Sequence, residues 1–384
     1  MKKIILLASI LLSVCSTINV IAQQRLTPDV MKRLFPASVI SPEYNKDGTI
    51  TFRFSAPKAE KVELNCQMFA GNKTMQKDEK GIWQVTVTPE MADIYPYCFI
   101  VDGTQVTDPN NFYIFPNENF KNSLVDVKGA EQSVQDIKDV PHGRIQYRYY
   151  HSDVYGFDRP MCVYTPAGYD PNGTTEYPVL YLIHGMTDTY ETWFKVGKVN
   201  VILDNLIAEG AAKKMIIVMP YANAYPEMQN RKMNVQQDVL ATDNVTKEII
   251  EEIIPFVESN YKVLTDADNR AIAGFSLGGR QTLAAGLSNP DKFHWVCAFA
   301  PAIFGPEIEK NFSDLYAAPT ELNNQLKLLW LSCGKDDFLF NSSTQLDKIL
   351  SDKSIKHNTL FSEGSHTWMN CRKYINEVSQ RLFK

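Results

Sequence analysis

One stretch constrains this chain more than any other: Arg270-Ala-Ile-Ala-Gly-Phe-Ser-Leu-Gly-Gly-Arg280. It reads as a short apolar strand, a tight Gly-Phe-Ser-Leu-Gly turn and the first turn of a helix. A serine on such a turn is held out at the top of a sheet. Gly274 and Gly278 leave room for the backbone to turn and for neighbours to approach. The helix starting at about Leu277 aims free backbone N–H groups at the same place, which suits a developing negative charge. Ser276 is therefore a candidate nucleophile. A G-x-S-x-G match is short, and a plain small-residue turn at a helix start also satisfies it. The rest of the chain has to supply the partners.

Residues 146–384 alternate strands with helices, the pattern of a mostly parallel sheet covered on both faces. Arg159–Pro166, Tyr177–Ile183, Lys214–Pro220, His294–Phe299, Leu326–Ser332 and His357–Phe361 read as strands; Val199–Glu209, Asp243–Tyr261 and Trp368–Phe383 read as helices. In such a sheet the acid is expected in a loop after a later strand, and the histidine after the last strand. The chain has only six histidines, so this is a demanding condition. Cys333-Gly-Lys-Asp-Asp-Phe338 follows one late strand and Ser362-Glu-Gly-Ser-His366 follows the last. His366 is the expected base and Asp337 the expected acid, with Asp336 and the weaker Glu363 as rivals. His357, at a strand start, reads as structural. The oxyanion donors are expected from the backbone of Leu277 and of Met186, with Gly185 as the rival to Met186. His184 reads as a loop anchor. Tyr190, Trp193, Tyr221, Tyr225 and Trp368 fall in loops expected at the carboxyl edge of the sheet and are the candidate substrate contacts.

The first half is different. Thr49–Ser55, Val62–Cys66, Trp83–Thr88 and Tyr97–Val101 are short strand-like runs separated by Asp47-Gly48, Glu79-Lys-Gly81 and Asp102-Gly103. This spacing predicts an all-β sandwich over 24–128, followed by a polar linker over 129–145. Trp83 and Tyr97 are either core aromatics or a sugar-stacking platform.

Composition excludes some classes. The charged share is 22% and the net charge −5, with Lys and Arg scattered, so no nucleic-acid partner is expected. Lys2 and Lys3, the apolar run Ile4–Val14 and Val20-Ile-Ala22 read as a signal peptide over 1–22, implying a secreted, periplasmic protein. Cys15 leaves room for a lipid anchor; otherwise no membrane contact is expected. The remaining cysteines fit no zinc spacing. Cys162, Cys297 and Cys333 read as core, and Cys66 with Cys98 as a candidate disulfide.

Two resemblances emerge from these residues. Ala56–Leu64, Gly81-Ile-Trp83, Tyr95-Pro-Tyr97, Val101-Asp-Gly-Thr and Val106–Asn110 resemble the immunoglobulin-like, glycogen-binding-type module that precedes many glycan-active enzymes. Tyr177–Gly185, Trp193-Phe, Ile202–Gly210, Met215–Pro220, Ala273–Gly279 and Gly364-Ser-His-Thr-Trp resemble the family 1 carbohydrate esterases, which include feruloyl and acetylxylan esterases. They are also similar to enterochelin esterases and formylglutathione hydrolases. The resemblance implies an α/β-hydrolase domain over 146–384. It implies a Ser276–His366–Asp337 serine esterase with no cofactor or metal, acting on ester-decorated plant polysaccharide or oligosaccharide such as xylan. A siderophore esterase and a non-catalytic glycan-binding protein are the alternatives. Ser365 and Leu277 depart from the family's usual glycine and methionine, and neither change removes a required group.

Overall fold

A computed structural model describes residues 39–223, 242–304 and 318–384. The signal-peptide reading, Cys15 and Tyr225 lie outside these residues.

The first unit is a sandwich of two antiparallel sheets. One holds β1 (Glu43–Tyr44), β2 (Ile50–Ser55), β5 (Gln76–Lys77) and β6 (Ile82–Val87) in the order β1-β2-β6-β5. The other holds β3 (Val62–Cys66), β4 (Asn72–Thr74), β7 (Ile94–Val101) and β8 (Thr104–Val106) in the order β4-β3-β7-β8, with β9 (Ser123–Asp126) paired to β7. Strand β3 buries alternate residues, Val62, Leu64 and Cys66, as a half-solvated strand should. Trp83 and Tyr97 are both buried, with the indole N–H donating to Ala56 O and the phenol to Asp108. They belong to the sandwich core and form no sugar platform. Cys66 stands opposite Tyr97 while Cys98 stands opposite Asn65, so the two thiols point to opposite faces of the sheet. Both are free, and the candidate disulfide does not form.

The second unit is an eight-stranded sheet in the order β10-β11-β13-β12-β14-β15-β16-β17. Its strands are β10 (Arg144–Ser152), β11 (Phe157–Thr165), β12 (Val179–Ile183), β13 (Ile216–Pro220), β14 (Arg270–Phe275), β15 (Trp295–Phe299), β16 (Leu328–Gly334) and β17 (Asn358–Ser362). The pairings β10-β11 and β11-β13 are antiparallel and the rest parallel. The central strands are buried along their whole length and, apart from Arg270 at the start of β14, apolar, because helices cover both faces. One face carries α1 (Thr192–Lys195), α2 (Val199–Ala208) and the closing helix α8 (Trp368–Ser379). The other carries a continuous helix made of α3 (Asp243–Glu248), a π-helical turn (Ile249–Ile253) and α4 (Ile254–Asn260), together with α5 (Leu277–Ser288) and α7 (Phe340–Asp352); α6 (Pro319–Gln325) lies nearby. Helix α5 sits close to the sheet because of its small residues: a Cβ on Gly286 would fall 2.7 Å from a Val296 methyl.

The two units share a core. Ile94, Phe115 and Leu124 of the sandwich pack among the residues beneath α2 and α8, and Met369 packs back into the sandwich core. Arg372 of α8 is buried, pairs with Asp93 and donates to Val196 O at 2.7 Å. Removing one member of a buried ion pair of this kind typically costs about 3–5 kcal/mol. Residues 129–143 run along α2: Asn205 Nδ2 donates to Val134 O and Asp136 O, and Asp204 accepts from Gly143 N–H and contacts His142.

Candidate active site

Four parallel strands, β12, β14, β16 and β17, end at the same edge of the sheet, and the loops after them carry the expected residues. Ser276 follows β14 with φ 58 and ψ −116. This left-handed backbone is unfavourable for any residue but glycine and persists only when its surroundings hold it. Here Ser276 N–H donates to Phe299 O at 2.9 Å, and Ser276 O accepts from Arg280 N–H at 3.1 Å and Ala302 N–H at 2.9 Å. The glycines do what the sequence asks of them. A Cβ on Gly274 would sit 2.3 Å from Gly278 O, and one on Gly278 would sit 2.4 Å from His184 O.

Between the two acid candidates the geometry is unambiguous. Asp337 is buried, its Oδ2 accepts from His366 Nδ1 at 2.7 Å and its Oδ1 accepts from Leu339 N–H at 2.8 Å. Asp336 is exposed, and Glu363 is drawn outward to Lys335 at 2.5 Å. With Nδ1 donating to the carboxylate, Nε2 is the lone-pair nitrogen of a neutral His366 ring. Ser276 and His366 open into one cavity of about 550 Å³. His357 is tied to Asp347 and Ile355 O, as a structural residue.

Leu277 opens α5, so its N–H has no acceptor within the helix. Gly185 and Met186 line the cavity, and a Cβ on Gly185 would lie 3.6 Å from Ser276 Cβ, which places this loop against the serine. His184 anchors the loop. Its ring is buried, Nδ1 bonds Gly185 O at 2.7 Å and Nε2 accepts from Ala222 N–H at 3.0 Å. Burial, with a smaller contribution from the Arg159 charge, holds the ring's pKa down to about 4, so it stays neutral.

Among the described aromatic candidates, Tyr190, Trp193, Tyr221 and Trp368, only Trp368 reaches the cavity. Trp193 is 1% exposed, donates from its indole to Ile183 O and packs edge-on against Trp368, so it is core rather than a substrate contact. Tyr221 is likewise buried, bonded to Glu118 and 6.0 Å from the His184 ring, and does not line the cavity.

Several lining residues were missed by the sequence reading. Phe275 and Phe338 flank the imidazole. Asp188 lies beneath the Gly185–Met186 loop, where burial pushes its carboxyl up to about 7. The whole opposite wall comes from the sandwich: Asn65, Gln67, Phe69, Phe115, Phe120 and Asn122. A sequence signal existed for Phe275, which adjoins the serine, and for Phe338, which adjoins Asp337. Among the described residues, no group of three or more His, Cys, Asp or Glu side chains gathers to hold a metal, and no helix is long and apolar enough to cross a membrane.

Known proteins resemble this chain in sequence and fold. Residues 152–379 match the family model described as a putative esterase. An endo-1,4-beta-xylanase/feruloyl esterase of Xylanibacter ruminicola is 29% identical over 350 residues, covering 89% of this chain and 46% of that protein. The chain thus spans less than half the length of that curated relative, and it covers 22% of the endo-1,4-beta-xylanase Y of Acetivibrio thermocellus. A CE1 ferulic acid esterase from Anaeromyces mucronatus, solved with ferulic acid, superposes with a TM-score of 0.57 at 26% identity, over 65% of this chain and 93% of that one. The enterobactin esterase of Shigella flexneri shares the fold over 87% of this chain and 93% of its own, with a TM-score of 0.62 at 16% identity. With a serine elbow, a buried aspartate–histidine pair and a family match over most of the second unit, the chain belongs to the esterase family.

Proposed function

We propose that the protein is a serine carboxylic-ester hydrolase that removes feruloyl or acetyl groups from plant cell-wall polysaccharide such as xylan. The observation that carries this is Ser276, held on a strained elbow and opening into the same cavity as a His366 already bound to buried Asp337. In the proposed reaction His366 Nε2 takes the Ser276 proton as the hydroxyl attacks the ester carbonyl. Asp337 fixes the imidazole tautomer and stabilises its cationic form. The N–H groups of Leu277 and of the Gly185–Met186 loop receive the tetrahedral oxyanion. The alcohol departs with the proton from His366, and water cleaves the acyl-enzyme.

The cavity supports an aromatic acyl group. Phe115, Phe120, Phe275, Phe338 and Trp368 give it apolar walls, while Asn65, Gln67 and Asn122 offer partners for sugar hydroxyls. The xylanase/feruloyl esterase relative and the ferulic acid esterase structure point the same way. The positively charged start and apolar run of residues 1–22 support action outside the cytoplasm.

Ser276→Ala is expected to lower turnover of methyl ferulate by on the order of 10⁴-fold or more. Undiminished activity would remove Ser276 from the mechanism. A panel of methyl ferulate, acetylated xylan and enterobactin at equal concentration tests the substrate class. Higher kcat/KM on enterobactin would overturn the polysaccharide reading in favour of a siderophore ester.

A further inference from the structure

The loop that faces Ser276 is held from outside by the sandwich. Asn117, in the segment after Phe115, forms a one-residue antiparallel bridge with Asp188. Its Nδ2 donates to Asp188 Oδ1 at 3.0 Å, and both residues are buried. The next residue's amide, Glu118 N–H, donates to Thr187 O at 2.7 Å. Asn223 closes the arrangement, donating from Nδ2 to Asp188 O at 2.9 Å and to Glu118 Oε2 at 3.1 Å.

The clamped residues are the ones that set the direction of the Gly185 and Met186 amides. Thr187 has φ 65, a left-handed conformation that a β-branched residue adopts only under constraint, at a cost of about 1–3 kcal/mol. The Glu118 N–H bond to its carbonyl is such a constraint. Asp188 N–H closes the turn onto Gly185 O at 3.2 Å. The Asp188 carboxylate lies directly under the glycine: a Cβ on Gly185 would fall 3.2 Å from its Oδ2. Asn117 also holds itself in place, its Oδ1 accepting from Asn119 N–H at 2.9 Å.

We propose that Asn117 is a positioning residue for the reaction, acting through Asp188 and Thr187 to hold the Met186 amide where the oxyanion forms, so that the sandwich completes the catalytic centre. The proposal rests on the reading of Ser276 as nucleophile and Gly185–Met186 as the oxyanion loop. A backbone donor displaced by a fraction of an ångström loses its advantage in the transition state while ground-state binding changes little.

The test uses the full chain and a small aryl acetate, which needs few contacts with the sandwich. Asn117→Ala is expected to lower kcat by about 10- to 100-fold with KM within about threefold, and to weaken inhibition by an aryl boronic acid, which forms a tetrahedral serine adduct, in the same proportion. Asp188→Asn keeps a carbonyl oxygen for Asn117 Nδ2 but turns its amide toward the Gly185 N–H and the Trp368 indole, which act on the carboxyl in the native protein. Its kcat is therefore expected to fall between those of the native protein and Asp188→Ala, which should be at least as low as Asn117→Ala. If Asn117→Ala does not accumulate as folded protein, Asn117→Ser and the Asp188 pair decide the matter. A variant with lowered thermal stability but unchanged kcat and unchanged boronic acid affinity would reduce Asn117 to a packing role and overturn the proposal. Activity surviving in Ser276→Ala would instead sink the mechanism on which it rests.

Discussion

The imidazole of His366 lies against the ring of Phe275, with centroids 4.4 Å apart and planes inclined by 29°. Phe275 immediately precedes Ser276, so the strand that delivers the serine also delivers the surface on which the histidine rests. Phe338, next to Asp337, approaches the imidazole at 4.7 Å. The ring is therefore fixed by one hydrogen bond and by two aromatics, each adjacent in sequence to one of its partners.

Phe275→Leu tests that support. Leucine keeps an apolar side chain in the core beside Trp368 but offers no flat surface to the imidazole. Aromatic pairs contribute about 0.5–1.5 kcal/mol beyond their burial, which corresponds to about a 2- to 10-fold fall in kcat if the orientation of His366 depends on it. Steady-state kinetics on methyl ferulate, beside a thermal melt, would check this. Unchanged kcat would mean that Asp337 alone orients the ring.

The order serine, acid, histidine was legible in the sequence because each lies in a loop whose position is dictated by an apolar strand. Continuous buried runs such as Val179–Ile183 are hard to mistake. The choice between Asp337 and Asp336 rested on loop direction, which neighbouring residues do not share. The aromatic contacts were read less well. Trp193 and Tyr221 fall at the correct edge of the sheet, but edge position does not say whether a ring turns inward to the core. Strand β10 was not read as a strand, its first two residues falling in the expected linker, because this edge strand is polar on its exposed side. The sandwich wall was illegible for a different reason. Asn65, Gln67 and Asn117 sit in a separate unit, and only the docking of that unit, through Arg372 and the shared core, brings them to the serine.

Gly334→Ala addresses the seam between the acid and histidine loops. A Cβ there would lie 2.0 Å from Gly364 O and 2.6 Å from Asn370 Nδ2. The first of these is backbone, so the two loops must separate. They are joined across this seam by Lys335 N–H to Ser362 O at 2.7 Å and Asp336 N–H to Gly364 O at 3.1 Å. Overpacking of this kind costs about 1–3 kcal/mol, and the shift falls on the Asp337–His366 hydrogen bond. The expected outcome is a lowered melting temperature together with a fall in kcat larger than that of Phe275→Leu. Near wild-type kcat would show that the loops yield without disturbing the pair.

Two buried groups near the serine give the fold opposing responses to pH. Burial raises the Asp188 carboxyl from 3.8 to about 7, so between these values the folded state holds a proton that the unfolded chain has released, and stability from this group falls as pH rises. Burial lowers the His184 ring from 6.5 to about 4, so over that window the unfolded chain holds the extra proton, and stability from this group is lost as pH falls. In the native protein the two slopes largely offset each other between about pH 4 and 6.5. Asp188→Asn removes one of them while keeping an acceptor for Asn117. Its stability relative to the native protein is expected to rise by on the order of a few kcal/mol between pH 4 and pH 8. The variant alone should also lose stability steeply on acidification, because the His184 contribution is then unopposed. Equilibrium urea unfolding of both proteins from pH 4 to 8 measures the difference, and a gap independent of pH would mean that Asp188 is ionised throughout.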